Sequence, residues 1–366
     1  MDEVRKKNEV VYAERQSNFE LCRIVSMFMI VSVHYFPHGI LDDNLVPIGT
    51  KQYYLGWLLE TLCIIGPNVF TMLAAWFLCT RQKSDIRKVI LIYIKLVAYN
   101  VVLFGVGLIF NTANLSRHEI ILLFFPFLGG RYWYIETYIL LLFLYPFINF
   151  LINNISKKSY TILLVFWICV FSLWFTILPS APIQDWGYGI TTFVTCYLIV
   201  GYIKLHGDGT AVLSKLFNSK KVCVLVYLIT SGISFSMITD QTEGTKFIFP
   251  NNVAHAYCSI WVVISALSVF LLFKNLKIRY CKIINNIASL TLSVSIIHNN
   301  YSCKDLYYRI MNTEQFANSE VYILIYLSQV VLQFSISALI GWIINIPINF
   351  IWKKASFKKL EIVCEE

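Results

Sequence analysis

Arg23 and His34 stand eleven positions apart in the stretch FELCRIVSMFMIVSVHYF, residues 19–36. They read as two ionisable side chains in what would otherwise be a plain membrane anchor. Eleven residues make about three helical turns, so both project from one face, roughly 16 Å apart along the axis. A charged group in hydrocarbon costs about 2.5–3.5 kcal/mol on insertion scales, so such a group usually faces protein or a polar cavity. The plain alternative is that Arg23 snorkels to the cytoplasmic surface and His34 is a polar residue near the outer end. Their shared face favours chemistry. A neutral imidazole can take a proton from a hydroxyl and hand it to a leaving group. Arg23 can hold an anion or orient the site.

A second constellation opens the third apolar span, TRQKSDIRKVILIYIK, residues 80–95. Lys83 and Lys88 read as positive-inside anchors. Arg81 and Arg87 fit that role or a phosphate-binding one equally, because guanidinium pairs with phosphate through two parallel hydrogen bonds. Lys95 lies seven residues beyond Lys88, on the same face and deeper in the membrane. Two carboxylates, Glu60 and Glu136, can answer these cations. Either can pair with Lys95 or orient an imidazole, and Glu136 joins His34 and Arg23 in the expected catalytic set. Trp133, Tyr134 and Tyr138 suit an interfacial aromatic belt or, less commonly, a sugar-stacking surface. His298 closes the run SLTLSVSIIHNNY at the same outer level as His34, where a shared site is geometrically allowed. His38, His118, His206 and His255 are assigned nothing.

The elements that must position these residues are membrane helices. The chain has 366 residues, of which 57% are hydrophobic and 14% charged, with mean hydropathy +0.64. Soluble domains carry about 25% charged residues. Ten spans are expected, near 18–37, 54–78, 87–110, 132–152, 160–178, 187–204, 222–239, 251–273, 281–301 and 321–352, giving an all-α polytopic bundle. A short apolar run, 120–128, ending in Gly129–Gly130 reads as re-entrant or interfacial. The last span is long enough to tilt or to extend past the bilayer. With the N-terminus inside, 22 of the 30 Lys and Arg fall in cytoplasmic connections and six outside. That asymmetry puts both termini in the cytoplasm. Residues 1–17 and 353–366 are expected as cytoplasmic tails around a transmembrane domain at 18–352, with the first span an uncleaved anchor. The net charge of +9 is dispersed between spans and does not indicate nucleic acid. The ten cysteines lack a CxxC pair, and no metal site is expected.

Three features resemble the acyltransferase-3 family of integral membrane acyltransferases, especially members that O-acetylate cell-surface polysaccharides. One is the basic-x10-His pattern of Arg23 and His34. The second is the aromatic stretch with Trp133, Tyr134 and Tyr138 that ends in Pro146, Phe147 and Asn149. The third is the Ser-rich ninth span, with Ser289, Ser293 and Ser295, closing on His298. The chain departs from the family's Ser-Gly-Tyr-Phe-like ending of the second span, carrying Ala74-Ala75-Trp76-Phe77 after Asn68-Val69-Phe70. Glu136 also stands where many members have a small or neutral residue.

The resemblance implies a cytoplasmic acyl-CoA donor, an acceptor near the outer face and His34 as the catalytic histidine, with Arg81 and Arg87 on the coenzyme. Lys95 is placed with them. The expectation is therefore an O-acetyltransferase of a bacterial cytoplasmic membrane. Acetyl-CoA is its co-substrate, and a surface polysaccharide or lipid-linked glycan is its acceptor near His298, Trp133, Tyr134 and Tyr138. Its surroundings are the lipid bilayer, with homo-oligomers left open. The rival reading is a transporter or flippase for a lipid-linked glycan. No inverted repeat supports it, and a polysaccharide polymerase would need a large outer loop.

Overall fold

The computed structural model describes residues 15–42, 44–178, 185–207, 215, 217–242, 253–355 and 361–363. Its helices run in chain order α1 (Ser17–Tyr35), α2 (Lys51–Cys63), α3 (Gly66–Leu78), α4 (Ile86–Ile109), α5 (Arg117–Phe124) and α6 (Trp133–Asn154). Then come α7 (Lys157–Ile168), α8 (Trp174–Ile177), α9 (Ile190–His206), α10 (Lys220–Thr242) and α11 (Ile260–Lys274). The chain continues through α12 (Lys282–Ala288), α13 (Thr291–Ile297), α14 (Lys304–Met311) and α15 (Tyr322–Lys354). Among the described residues the sheet content is one antiparallel pair, β1 (Lys83–Asp85) with β2 (Glu361–Val363), Lys83 opposite Val363. It joins the start of α4 to the chain beyond α15.

Eight helical segments among the described residues are long and apolar enough to cross a membrane, and two shorter apolar ones lie at Ile190–His206 and Lys282–Ile297. These ten correspond to the ten expected spans, and the molecule is an all-α polytopic bundle. Large apolar side chains such as Ile109, Leu324, Phe350 and Ile351 are exposed, as an outward face toward lipid requires. α15 has 33 residues, about 50 Å at 1.5 Å per residue, longer than a bilayer core of about 30 Å. The apolar run before α6 forms the eight-residue α5 and a 3-10 turn at Pro126–Gly129, too short to cross.

Two spans expected as continuous are broken. In the second, α2 stops at Cys63 and α3 restarts at Gly66–Pro67. Proline fits a first helical turn, where its missing N–H costs nothing. The glycine allows the new helix to press on α1. A Cβ there would stand 2.9 Å from the Ser26 carbonyl oxygen and 2.9 Å from Ile30 Cγ1. The ninth span breaks at Ser289–Leu290, between α12 and α13. Interrupted backbone at membrane depth is tolerated where it is buried in protein or lines a cavity.

α1 packs against α3, α11, α12, α13 and α15. The main core joins α1, α3, α6, α9 and α11 through Phe19, Val69, Leu141, Tyr197 and Phe270. α13 is pinned from two sides by a buried polar triangle. Tyr99 Oη lies 2.7 Å from Ser293 Oγ and donates to Asn345 Oδ1 at 2.8 Å, and Asn345 Nδ2 donates to Ser293 Oγ at 3.0 Å. This ties α13 to α4 and α15 and fixes the helix that ends on His298.

Candidate active site

Glu20, Arg23, Met27, Ile30 and His34 form a stripe along α1, spaced three and four residues apart, so they share a face. The first three line an inner cavity of about 690 Å³, within the volume range of small-molecule sites. Ile30 and His34 line an outer cavity of about 50 Å³. The two cavities meet at Tyr134, Ile135 and Ser295, which line both. The common face of Arg23 and His34 expected from their spacing is therefore present, with one residue at each cavity.

The inner cavity is cationic. Arg15, Arg23, Arg81 and Lys88 line it with one carboxylate, Glu20. Arg23 Nη1 donates to Glu20 Oε2 at 3.1 Å, and Arg15 Nε stands 3.9 Å from Glu20 Oε1. Beyond these charges the wall is largely apolar, with Phe70, Leu73 and Phe77. Ala74, one of the departures from the family pattern, lies on this wall, and Ala75 is fully buried. Tyr134 and Tyr138 also line it, and Tyr134 Oη lies 3.1 Å from Thr71 Oγ1.

In the outer cavity the two histidines touch. His298 Nε2 lies 3.1 Å from His34 Nδ1, with ring centroids 5.0 Å apart. Each ring also turns back on its own helix. His34 Nδ1 is 2.9 Å from the Ile30 carbonyl oxygen, and His298 Nδ1 is 2.7 Å from that of Val294. Carbonyl oxygens only accept, so each neutral ring carries its proton on Nδ1. His298 Nε2 is then a lone pair facing the His34 Nδ1–H. His34 Nε2 is also a lone pair and has no hydrogen-bond partner among the described residues. The backbones of both histidines are held from outside their helices. Tyr308 Oη donates to the His34 carbonyl at 2.9 Å, and Gln333 Nε2 donates to that of His298 at 3.2 Å.

The far wall comes from the start of α6. Trp133 stacks on Tyr257 at 5.3 Å and meets Tyr188 edge-on. Arg131 lines the same cavity. Its Nη1 and Nη2 donate to the two carboxylate oxygens of Glu119 at 2.8 and 2.7 Å, and its guanidinium lies 3.9 Å from the Tyr301 ring centroid. The Arg131 hydrogen bonds hold the Glu119 carboxyl below its usual range. Next to this pair, Tyr132 Oη and Asn300 Nδ2 both donate to Asn100 Oδ1, at 2.5 and 3.1 Å.

Other expected residues lie elsewhere. Asp85 caps α4, accepting from the Arg87 backbone N–H at 3.1 Å, and Arg87 Nε and Nη2 each donate to an oxygen of Asp85 at 2.9 Å. Arg87 lines a separate cleft with Lys88, Trp352 and Lys353, and its hydrogen bonds depress the Asp85 carboxyl. Lys95 lines neither cavity and forms no ion pair with a described residue. Glu136 Oε1 accepts from the Tyr132 backbone N–H at 3.3 Å. It sits in the first turn of α6 and lines neither cavity. Glu60 is buried, and its Oε2 has no partner among the described residues. Neither carboxylate meets Lys95. The carboxylate that answers a cation here is Glu20, three residues before Arg23, a spacing readable in the sequence. Ser295 belongs to the Ser-rich run that closes on His298, whereas Arg131 and Tyr257 carried no such local signal. Among the described residues no cluster of three or more metal-ligating side chains occurs.

The acyltransferase-3 family model, described as an acyltransferase domain, matches residues 16–352, nearly the whole chain. No curated protein and no solved structure matches it.

Proposed function

We propose that this chain, which belongs to the acyltransferase-3 family and is a multi-pass membrane acyltransferase, moves an acetyl group from acetyl-CoA to a hydroxyl of a surface polysaccharide or its lipid-linked precursor. The observation that carries this reading is the bare Nε2 of His34 in a small cavity that adjoins a large cationic one. The inner cavity suits a pantetheine arm with phosphates toward Arg81, Lys88, Arg15 and Arg23. The positive-inside asymmetry supports placing that cavity on the cytoplasmic side of a bacterial cell membrane. The outer cavity, about 50 Å³, has room for a group the size of about two water molecules. That favours a short acyl group.

The reaction needs no chemistry beyond the two substrates and one base. The acceptor hydroxyl enters from the Arg131–Trp133 side and gives its proton to His34 Nε2 as its oxygen attacks the thioester carbonyl. The new C–O bond forms, the C–S bond breaks, and the imidazolium returns the proton to the departing thiolate. Attack by His34 Nε2 itself, giving an acyl-imidazole, is the other order of events the same geometry serves.

The test is His34→Ala in membranes, with free CoA release and glycan acetylation measured together. Loss of both in a folded protein supports the reading, and normal acetylation overturns it. Thioester cleavage by the purified wild-type protein separates an acyltransferase from a flippase, which shows none.

A further inference from the structure

We propose that His298 is the positioning residue of this site: it fixes the tautomer of His34 and receives a hydrogen bond from the imidazolium, rather than contacting the acceptor. The proposal rests on His34 serving as the base.

The argument starts from the count of ring nitrogens. His298 has two, and both are engaged within the protein: Nδ1 donates to the Val294 carbonyl at 2.7 Å and Nε2 faces His34 Nδ1 at 3.1 Å. None is left for a sugar hydroxyl. His34 has one engaged nitrogen and one bare nitrogen. Its Nδ1–H is shared between the Ile30 carbonyl at 2.9 Å and His298 Nε2. Two acceptors on one side of the ring hold the proton there, which leaves the lone pair on the other. If the proton sat on Nε2, His34 Nδ1 would point its lone pair at a carbonyl oxygen and at a second lone pair. That arrangement turns three acceptors toward one another with no proton between them.

When His34 takes the hydroxyl proton, its Nδ1–H becomes the donor of a charge-assisted hydrogen bond. The partner at that position is a neutral imidazole nitrogen. It does the work that a carboxylate does behind the histidine of a hydrolase triad, orienting the ring and holding it as it gains charge. A neutral partner suits this position, since His298 is 4% exposed and an isolated carboxylate at such depth is costly. The proton never leaves His34 Nδ1, and no second transfer is required.

The experiment compares His298→Leu with His298→Gln in purified protein reconstituted in lipid discs. The Gln side chain retains an acceptor oxygen, whereas Leu retains none. His298→Leu is expected to lower kcat by about 10²-fold, the low end for general-base effects, with KM for acetyl-CoA and for the acceptor within about twofold. His298→Gln is expected to recover at least about a tenth of wild-type kcat. Solid-state nitrogen NMR of labelled histidine supplies a readout independent of turnover. Wild type should show His34 protonated at Nδ1, assigned by the signals lost in His34→Ala, and His298→Leu should show a mixture of tautomers. Wild-type kcat in His298→Leu, a raised acceptor KM at unchanged kcat, or a single unchanged tautomer overturns the proposal. Full activity of His34→Ala would instead remove the base assignment, while the tautomer measurement would still report on the pair.

Discussion

Arg23 reaches back one turn along α1 to Glu20, with Nη1 3.1 Å from Oε2, and the two side chains are 26% and 9% exposed. The pair sits on the wall of the inner cavity, so it joins fold and function. Removing the arginine alone leaves a buried carboxylate with only the distant Arg15. Arg23→Met should therefore cost about 1–3 kcal/mol, below the roughly 3–5 kcal/mol for breaking a fully buried pair, because the arginine is partly exposed. Arg23→Met with Glu20→Gln should recover most of that stability and none of the acyl-CoA affinity. Thermal melts in detergent and KM for acetyl-CoA read the two effects separately. Equal stability losses in the single and double variants would contradict the pairing.

Arg81 and Arg87, equal candidates by sequence, occupy different surroundings. Arg81 lines the inner cavity, whereas Arg87 is locked on Asp85 at the start of α4. A hydrogen bond to a charged group contributes about 1.5–3 kcal/mol, so Arg81→Ala should raise KM for acetyl-CoA at least about tenfold with little change in kcat. Arg87→Ala keeps the backbone N–H that Asp85 caps, so it should act mainly on stability, through the lost side-chain pair with Asp85. A larger KM effect from Arg87 than from Arg81 would place the phosphates in the cleft beside Trp352 instead.

The span pattern was legible because each crossing needs a long apolar run, and the shared face of Arg23 and His34 was legible because helical periodicity alone sets it. Glu20 is equally readable, three residues from Arg23, but at the edge of the apolar run it does not stand out as a buried charge. The breaks at Gly66–Pro67 and Ser289–Leu290 left the apolar runs continuous, so hydropathy could not report them. The contact of His34 with His298 joins positions 264 apart. Their common depth suggested it, but only packing of α1 beside α13 decides that the rings touch. Pairings for Glu60, Glu136 and Lys95 failed for the same reason. A buried charge in sequence has many partners in principle, and the fold places these three apart from one another.

Glu119 and Arg131 lie outside the membrane spans and supply a pH test. The Arg131 hydrogen bonds depress the Glu119 carboxyl, so the native state favours its ionised form. The stability this contributes is fully present above the ordinary carboxylate range and is lost as pH falls through the native value. The two side chains are 19% and 18% exposed, and the paired hydrogen bonds should be worth about 1 kcal/mol. Glu119→Gln should melt below wild type at pH ~7, and the difference should shrink as pH falls below the ordinary carboxylate range. A gap that persists in acid would mean that the fork contributes through packing.

Gly66 offers the most local test of how the fold sets the site. A Cβ at this position would meet the Ser26 carbonyl oxygen at 2.9 Å, Ile30 Cγ1 at 2.9 Å and Met29 Cβ at 3.1 Å. The first is backbone and cannot rotate away, so α3 and α1 must separate. Ile30 is the residue whose carbonyl holds His34 Nδ1, and Pro67 lines the His34 cavity. Gly66→Ala should therefore cost about 1–3 kcal/mol as an overpacked contact, and its loss of kcat should exceed what the reduced folded fraction explains. Gly105 in α4 is the control, since a Cβ there meets nothing within 4 Å. Gly105→Ala should leave turnover unchanged and, by helix propensity, gain up to about 1 kcal/mol. Melting temperature and turnover per folded molecule decide the matter. If both variants behave alike, the close approach of α3 to α1 has no bearing on how His34 is held.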